Sequence, residues 1–156
     1  MTAATTRQMA PPARRALRIG GWANIAIAAA HTVGLMWAWE MFRATGIEPE
    51  MRSLAEGGAA LPYVLTLITA AFFLAFGLYG LSAAGDVRRL PVLRLGVAAI
   101  AVIYVCRATL FGGIGAVAEG DVAQIVFALI ALLIGLCYAT GAVAQRRAPQ
   151  PLSAAA

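Results

Sequence analysis

Residues Arg18–Arg43 read RIGGWANIAIAAAHTVGLMWAWEMFR. Between the two arginines, only Asn24, His31, Thr32 and Glu40 interrupt an otherwise apolar run. An α-helix rises 1.5 Å per residue, so about 20 such residues cross about 30 Å of hydrocarbon. Residues 19–41 reach that length, and the chain's only histidine, His31, lies near their middle. How this stretch is read decides where the chain lives and where its polar chemistry sits.

Three further runs match it: residues 61–84, 90–112 and 122–144. The whole chain has 156 residues, 62% hydrophobic and 12% charged. Soluble domains carry about 25% charged residues, and half that supply does not cover a water-facing surface. The expected fold is therefore an all-α membrane protein, a four-transmembrane-helix bundle spanning residues 18–145 as one domain. Residues 1–17, small, polar and containing Pro11 and Pro12, read as a disordered tail. Residues 146–156 form a second tail.

The arginines set the orientation. Nine lie at one end of the expected spans: Arg7, Arg14, Arg15, Arg18, Arg88, Arg89, Arg94, Arg146 and Arg147. Arg43 and Arg52 lie at the other, and Arg107 falls inside the third span. Six of the seven acids accompany Arg43 and Arg52. Positive residues stay inside, so both termini are expected in the cytoplasm, with a bacterial inner membrane as the setting. The apolar run continues through Trp39, well past the Ala28–Ala30 stretch, which favours a retained span over a cleaved signal peptide. The net charge of +5 is divided among span ends and forms no patch with interleaved aromatics, so nucleic acid is not an expected partner.

The connections have their own signals. Glu48-Pro49-Glu50 reads as a helix start and Gly57-Gly58 as its end, giving a short interfacial helix inside an outer loop over residues 42–60. Trp37, Trp39 and Phe42 cluster at the outer end of the first span, as aromatic belts do. Ala26, Ala30, Gly34 and Ala38 form a small-residue stripe on that span, and Ala131, Gly135 and Ala139 form another on the fourth. Such stripes admit close helix approach, within the bundle or in a homo-oligomer.

The two halves also align with each other. Arg18-Ile19-Gly20 corresponds to Arg94-Leu95-Gly96, an offset of 76, which sets His31 opposite Arg107. Gly77-Leu78 with Arg88-Arg89 corresponds to Gly135-Leu136 with Arg146-Arg147, an offset of 58. The pattern suggests two tandem hairpins related about an axis along the membrane normal. Chance is the competing explanation, since these dipeptides are common at span ends.

Ionisable groups inside a membrane cost about 2.5–3.5 kcal/mol each and default to functional hypotheses. His31 and Arg107 head the list, with Tyr104, three residues before Arg107, and with Asn24 and Gln124. Together they are expected to line a pocket that binds or transports a small anionic or amphiphilic ligand. His31 reads equally as an interhelical hydrogen bond worth about 1 kcal/mol, and Arg107 as a snorkelling side chain. A structural or accessory subunit is thus one alternative. A membrane enzyme using His31 as general acid/base is another, although no nucleophile–base pair, phosphate loop or zinc motif is present. One histidine excludes bis-histidine haem, and Cys106 and Cys137, about 12 Å apart in depth, fit neither a metal set nor a disulfide. No cofactor or metal is expected; membrane lipids are the expected partners.

Overall fold

The computed structural model of the chain describes residues 9–110 and 113–147. It is helical, with no strand among the described residues. The elements are α1 (Pro11–Gly34), a 3-10 turn (Leu35–Trp37), α2 (Ala38–Ala44), α3 (Glu48–Glu56), α4 (Leu61–Ala84), α5 (Leu93–Thr109), α6 (Gly113–Glu119) and α7 (Val122–Arg147). Four stretches are long and apolar enough to cross a membrane: Pro11–Ala44, Leu61–Ala84, Leu93–Glu119 and Val122–Arg147.

The first helix begins earlier than the composition of its start suggests. Pro11 and Pro12 occupy its first positions, where a missing N–H removes nothing. From there Ala13, Leu17, Gly20, Gly21, Asn24 and Ala28 keep one continuous buried face, with Leu17 fully enclosed. Residues 11–17 are therefore part of the bundle, not of a tail. The rest of the expected N-terminal tail, residues 1–8, and residues 148–156 of the C-terminal one lie outside the described residues. The third span differs at both ends. Its helix starts at Leu93, after Val92 takes a left-handed conformation (φ +51°) that β-branched residues rarely adopt, and it stops at Thr109.

Helix α1 lies along α4, and α5 lies along α7; α1 also touches α7, and α4 touches α5. The four long helices thus form a square in which α1 faces α5 across the diagonal. Two antiparallel hairpins, α1 with α4 and α5 with α7, supply the broadest interfaces.

Packing is inverted relative to a soluble protein. The buried apolar positions are mostly alanine: Ala13, Ala28, Ala38, Ala70, Ala84, Ala101, Ala108, Ala116, Ala128 and Ala131. The large side chains point outward: Ile19, Trp22, Phe72, Leu95, Leu129 and Leu133 are all more than half exposed. In water such a belt would be an aggregation surface; against lipid tails it is the expected exterior. Glycine sets the spacing inside. A Cβ at Gly80 would sit 2.5 Å from the Tyr138 oxygen, 2.9 Å from Cα of Gly21 and 3.0 Å from the Leu17 carbonyl. The backbones of α1 and α4 meet there, and α7 reaches the same point through the Tyr138 hydroxyl.

The turns are tied down chemically. Gly85 (φ +86°) ends α4, and the N–H of Asp86 reaches back to the Leu81 carbonyl at 2.9 Å. Buried Ser82 then holds the following loop. Its hydroxyl donates to the Arg88 carbonyl at 3.0 Å and accepts the Leu90 N–H at 2.9 Å. Tyr79 donates to the Pro91 carbonyl at 3.2 Å. At the opposite end, Asp121 caps α7 by accepting the N–H of Gln124 at 3.1 Å.

Candidate functional site

Two tyrosines from other helices converge on Asn24, which is fully buried on α1. Its Oδ1 accepts the Tyr104 hydroxyl from α5 at 2.5 Å. Its amide donates to the Gly20 carbonyl one turn earlier at 2.9 Å and to the Tyr138 oxygen on α7 at 3.5 Å. Tyr138 in turn donates to the Phe76 carbonyl on α4 at 2.6 Å. One node of side chains therefore joins all four long helices. The rings of Tyr104 and Phe76 meet edge-on, with centroids 6.3 Å apart, and wall the node off.

Every member of this node is satisfied. Asn24 uses its acceptor and its donor group, and Tyr138 both donates and accepts. In a low-dielectric interior each unmet group would be expensive, so a closed network is strongly self-selecting. A closed network also has little left to offer a ligand. Asn24 and Tyr104 are indeed brought together, but they are brought together with each other.

His31 lies elsewhere on α1, one turn before the helix gives way to the 3-10 turn at Leu35–Trp37. Its Nδ1 is 2.8 Å from the Ile27 carbonyl, and its half-buried ring stacks obliquely on Phe73 of α4 at 5.0 Å. A carbonyl oxygen can only accept, so the proton is assigned to Nδ1. That leaves Nε2 with a lone pair and no hydrogen bond among the described residues. A side chain held at one nitrogen and open at the other is oriented for an incoming donor.

Arg107 is exposed in the last turn of α5, where a cation meets the negative end of the helix dipole. Because α5 ends at Thr109, Arg107 stands two residues from the end of its helix, closer than a span continuing to residue 112 would put it. Tyr104, three residues earlier, is buried on the inner side of the same helix. Gln124 sits in the first turn of α7 and donates to the Thr45 carbonyl at 3.0 Å, tying α7 to the end of α2. It belongs to the rim and not to the Asn24 node.

The same rim carries an ion-pair cluster. Glu48 accepts from Arg43 at 3.1 Å and from Arg52 at 2.6 Å, and Arg52 also lies over the Trp39 ring at 5.2 Å. The hydrogen bonds from Arg43 and Arg52 hold the Glu48 carboxyl below the usual carboxylate range. Among the described residues no three His, Cys, Asp or Glu side chains gather as a metal site. Cys106 and Cys137 are both free.

Tyr138 is the functional-looking residue that sequence reasoning left unassigned. Its signal was available: it falls three residues after Gly135 and seven after Ala131, on the small-residue stripe that α7 turns inward. A hydroxyl on such a stripe needs an internal partner.

No known protein family, curated protein or solved structure matches the chain.

Proposed function

We propose that the chain is a small multi-pass membrane protein that binds or carries a small amphiphilic ligand, whose hydrogen-bond-donating head meets Nε2 of His31 in the outer half of the bundle. The reading places both termini in the cytoplasm, on the strength of the arginine distribution, and takes the exposed apolar belt as the lipid-facing surface. The observation that carries the ligand is His31: Nδ1 fixed on Ile27, Nε2 open, and the ring backed by Phe73 beside the break in α1.

The two-hairpin plan supports an internal repeat as the origin of this bundle. Gly20 lies against Cys137 and Tyr138, and Gly96 lies against Tyr79. Gly96 is Gly20 displaced by 76, and Cys137 is Tyr79 displaced by 58, the same two offsets that align the halves.

Native mass spectrometry of the full chain in a mild detergent tests the ligand. The expected result is an adduct of constant mass that His31→Leu loses and Arg146→Gln keeps. A wild-type chain that carries no adduct, or an adduct indifferent to His31, overturns the reading.

A second reading has its own support. The Asn24 node consumes two of the expected pocket residues as a structural clasp, and Ala26 and Ala30 leave a small-residue strip exposed on α1. In an accessory subunit, or a homo-oligomer, a partner helix would lie on that strip and satisfy His31. His31→Leu would then change the oligomeric state in detergent and leave no lost adduct.

A further inference from the structure

A pocket of about 330 Å³ opens at the end of the bundle where α1 begins and α7 ends. Arg89 and Arg94 line one side of it, Leu93, Val87 and Met9 supply apolar surface, and Gln145 of α7 closes it. Gln145 is only 8% exposed, and its Oε1 is buried with no hydrogen-bond partner among the described residues. Buried polar groups are almost always satisfied, so an unmet buried acceptor on a residue that lines the pocket marks a place where something else supplies a donor.

The charges around the pocket are one-sided. The acid nearest in sequence, Asp86, is paired with Arg18 on α1, whose hydrogen bond holds its carboxyl below the usual range. It does not neutralise Arg89 or Arg94. The loop that carries Arg89 is fixed by the two hydrogen bonds to Ser82, so the arginine backbone is held in place before any ligand arrives.

An anion for two guanidiniums, a hydroxyl donor for an amide oxygen and an apolar continuation describe one chemistry. We propose that this pocket binds the head group of an anionic phospholipid bearing a free hydroxyl, with the phosphodiester on Arg89 and Arg94, the hydroxyl on Gln145 and the glycerol and upper acyl chains against Leu93, Val87 and Met9. Phosphatidylglycerol has each of these parts. Phosphatidylethanolamine would bring an ammonium toward two arginines, and phosphatidylcholine offers no donor. The volume suits a head group and not a whole lipid, which fits a site at the edge of an apolar bundle.

The test titrates the full-length chain in detergent with dioleoyl-phosphatidylglycerol, dioleoyl-phosphatidylcholine, glycerol phosphate and inorganic phosphate, reading bound fraction by native mass spectrometry. Phosphatidylglycerol is expected to bind at least about tenfold more tightly than phosphatidylcholine, and the double change Arg89→Gln with Arg94→Gln to abolish that preference. Gln145→Leu is expected to weaken phosphatidylglycerol severalfold. Arg146→Gln with Arg147→Gln removes the same charge outside the pocket and is expected to leave the preference intact. Both arginine pairs are at the bundle surface, so these variants keep the fold. Equal affinity for the two lipids overturns the proposal. So does equal loss from the two arginine pairs, which would mean general charge attraction. Glycerol phosphate or inorganic phosphate binding as tightly as the lipid would mean a soluble anion and would also overturn it. His31→Leu is expected to leave this binding unchanged, so the pocket stands or falls separately from the ligand proposed at His31.

Discussion

The Tyr104 phenol reaches across the diagonal of the bundle and donates to Oδ1 of Asn24 at 2.5 Å. Its helix and that of Asn24 are not neighbours in the square, so this bond fixes a distance that no helix–helix interface sets on its own. With Tyr138 and the Phe76 carbonyl added, the relative positions of all four helices are held by side chains on three of them.

Losing both partners of that bond is expected to cost less than the two single losses added together. Asn24→Leu leaves the buried Tyr104 hydroxyl without its acceptor, and Tyr104→Phe leaves Oδ1 open; each is expected to destabilise the bundle by about 1–2 kcal/mol. The double variant is expected to fall short of the sum by about 1 kcal/mol. Reversible unfolding in mixed micelles measures all three, and strict additivity would show that the bond carries no coupling.

Two glycines are expected to behave oppositely when replaced by alanine. At Gly80 a methyl meets backbone of Gly21 and Leu17 and the Tyr138 oxygen, so Gly80→Ala pushes three helices apart and is expected to cost about 2 kcal/mol or more. At Gly115 nothing lies within 4 Å, and Gly115→Ala is expected to be neutral or to stabilise by up to about 1 kcal/mol through helix propensity. The same unfolding measurement compares them; equal effects would contradict the close contact at Gly80.

A single histidine makes its tautomer directly readable. Selective 15N-histidine labelling is expected to give one pair of ring signals, with Nδ1 protonated and Nε2 bare in detergent alone. Phe73→Ala is expected to keep the tautomer while broadening the signals, because the carbonyl fixes the proton and the ring fixes the rotamer. A protonated Nε2 with a bare Nδ1 would contradict the bond to Ile27.

How much of this was legible in advance follows from what each signal measures. The apolar runs predict four long helices because length and hydropathy are properties of a single segment. Glu48-Pro49-Glu50 marks a helix start, and α3 does begin at Glu48, since a proline at the first turn and acids at the dipole are local effects. Asn24 and Tyr104 were visible as candidates, but their pairing depends on which helices lie diagonally, which no single segment encodes. The same limit applies to Arg107. Its surroundings changed because α5 stops at Thr109, and helix ends are set by the following chain as much as by the residue. Gln145 carried a faint sign: it follows Tyr138 by seven residues, two turns along the same inward face.

The Glu48 cluster gives a pH-dependent readout. Its carboxyl titrates below the usual range when α3 is in place, so the stabilisation is fully present above the unfolded-state value and is lost as pH falls through the lowered one. Amide exchange in α3, taken relative to the intrinsic rate at each pH, is expected to be slow at neutral pH and to quicken only in strong acid. Glu48→Gln is expected to quicken it at neutral pH while the long helices stay protected, since the pairs are solvent-exposed and of local effect. An unchanged α3 in that variant would show that Pro49 and the turn glycines suffice.

An interior of alanine and glycine beneath an exterior of leucine, isoleucine, valine and phenylalanine has a consequence for how this protein can vary. Among the outward side chains, one bulky hydrocarbon serves a lipid tail as well as another, so exchange there should be nearly free. Inside, two backbones already touch, and a single added carbon has nowhere to go. A saturation scan should therefore come out as a photographic negative of the usual one, tolerant where side chains are largest and brittle where they are smallest.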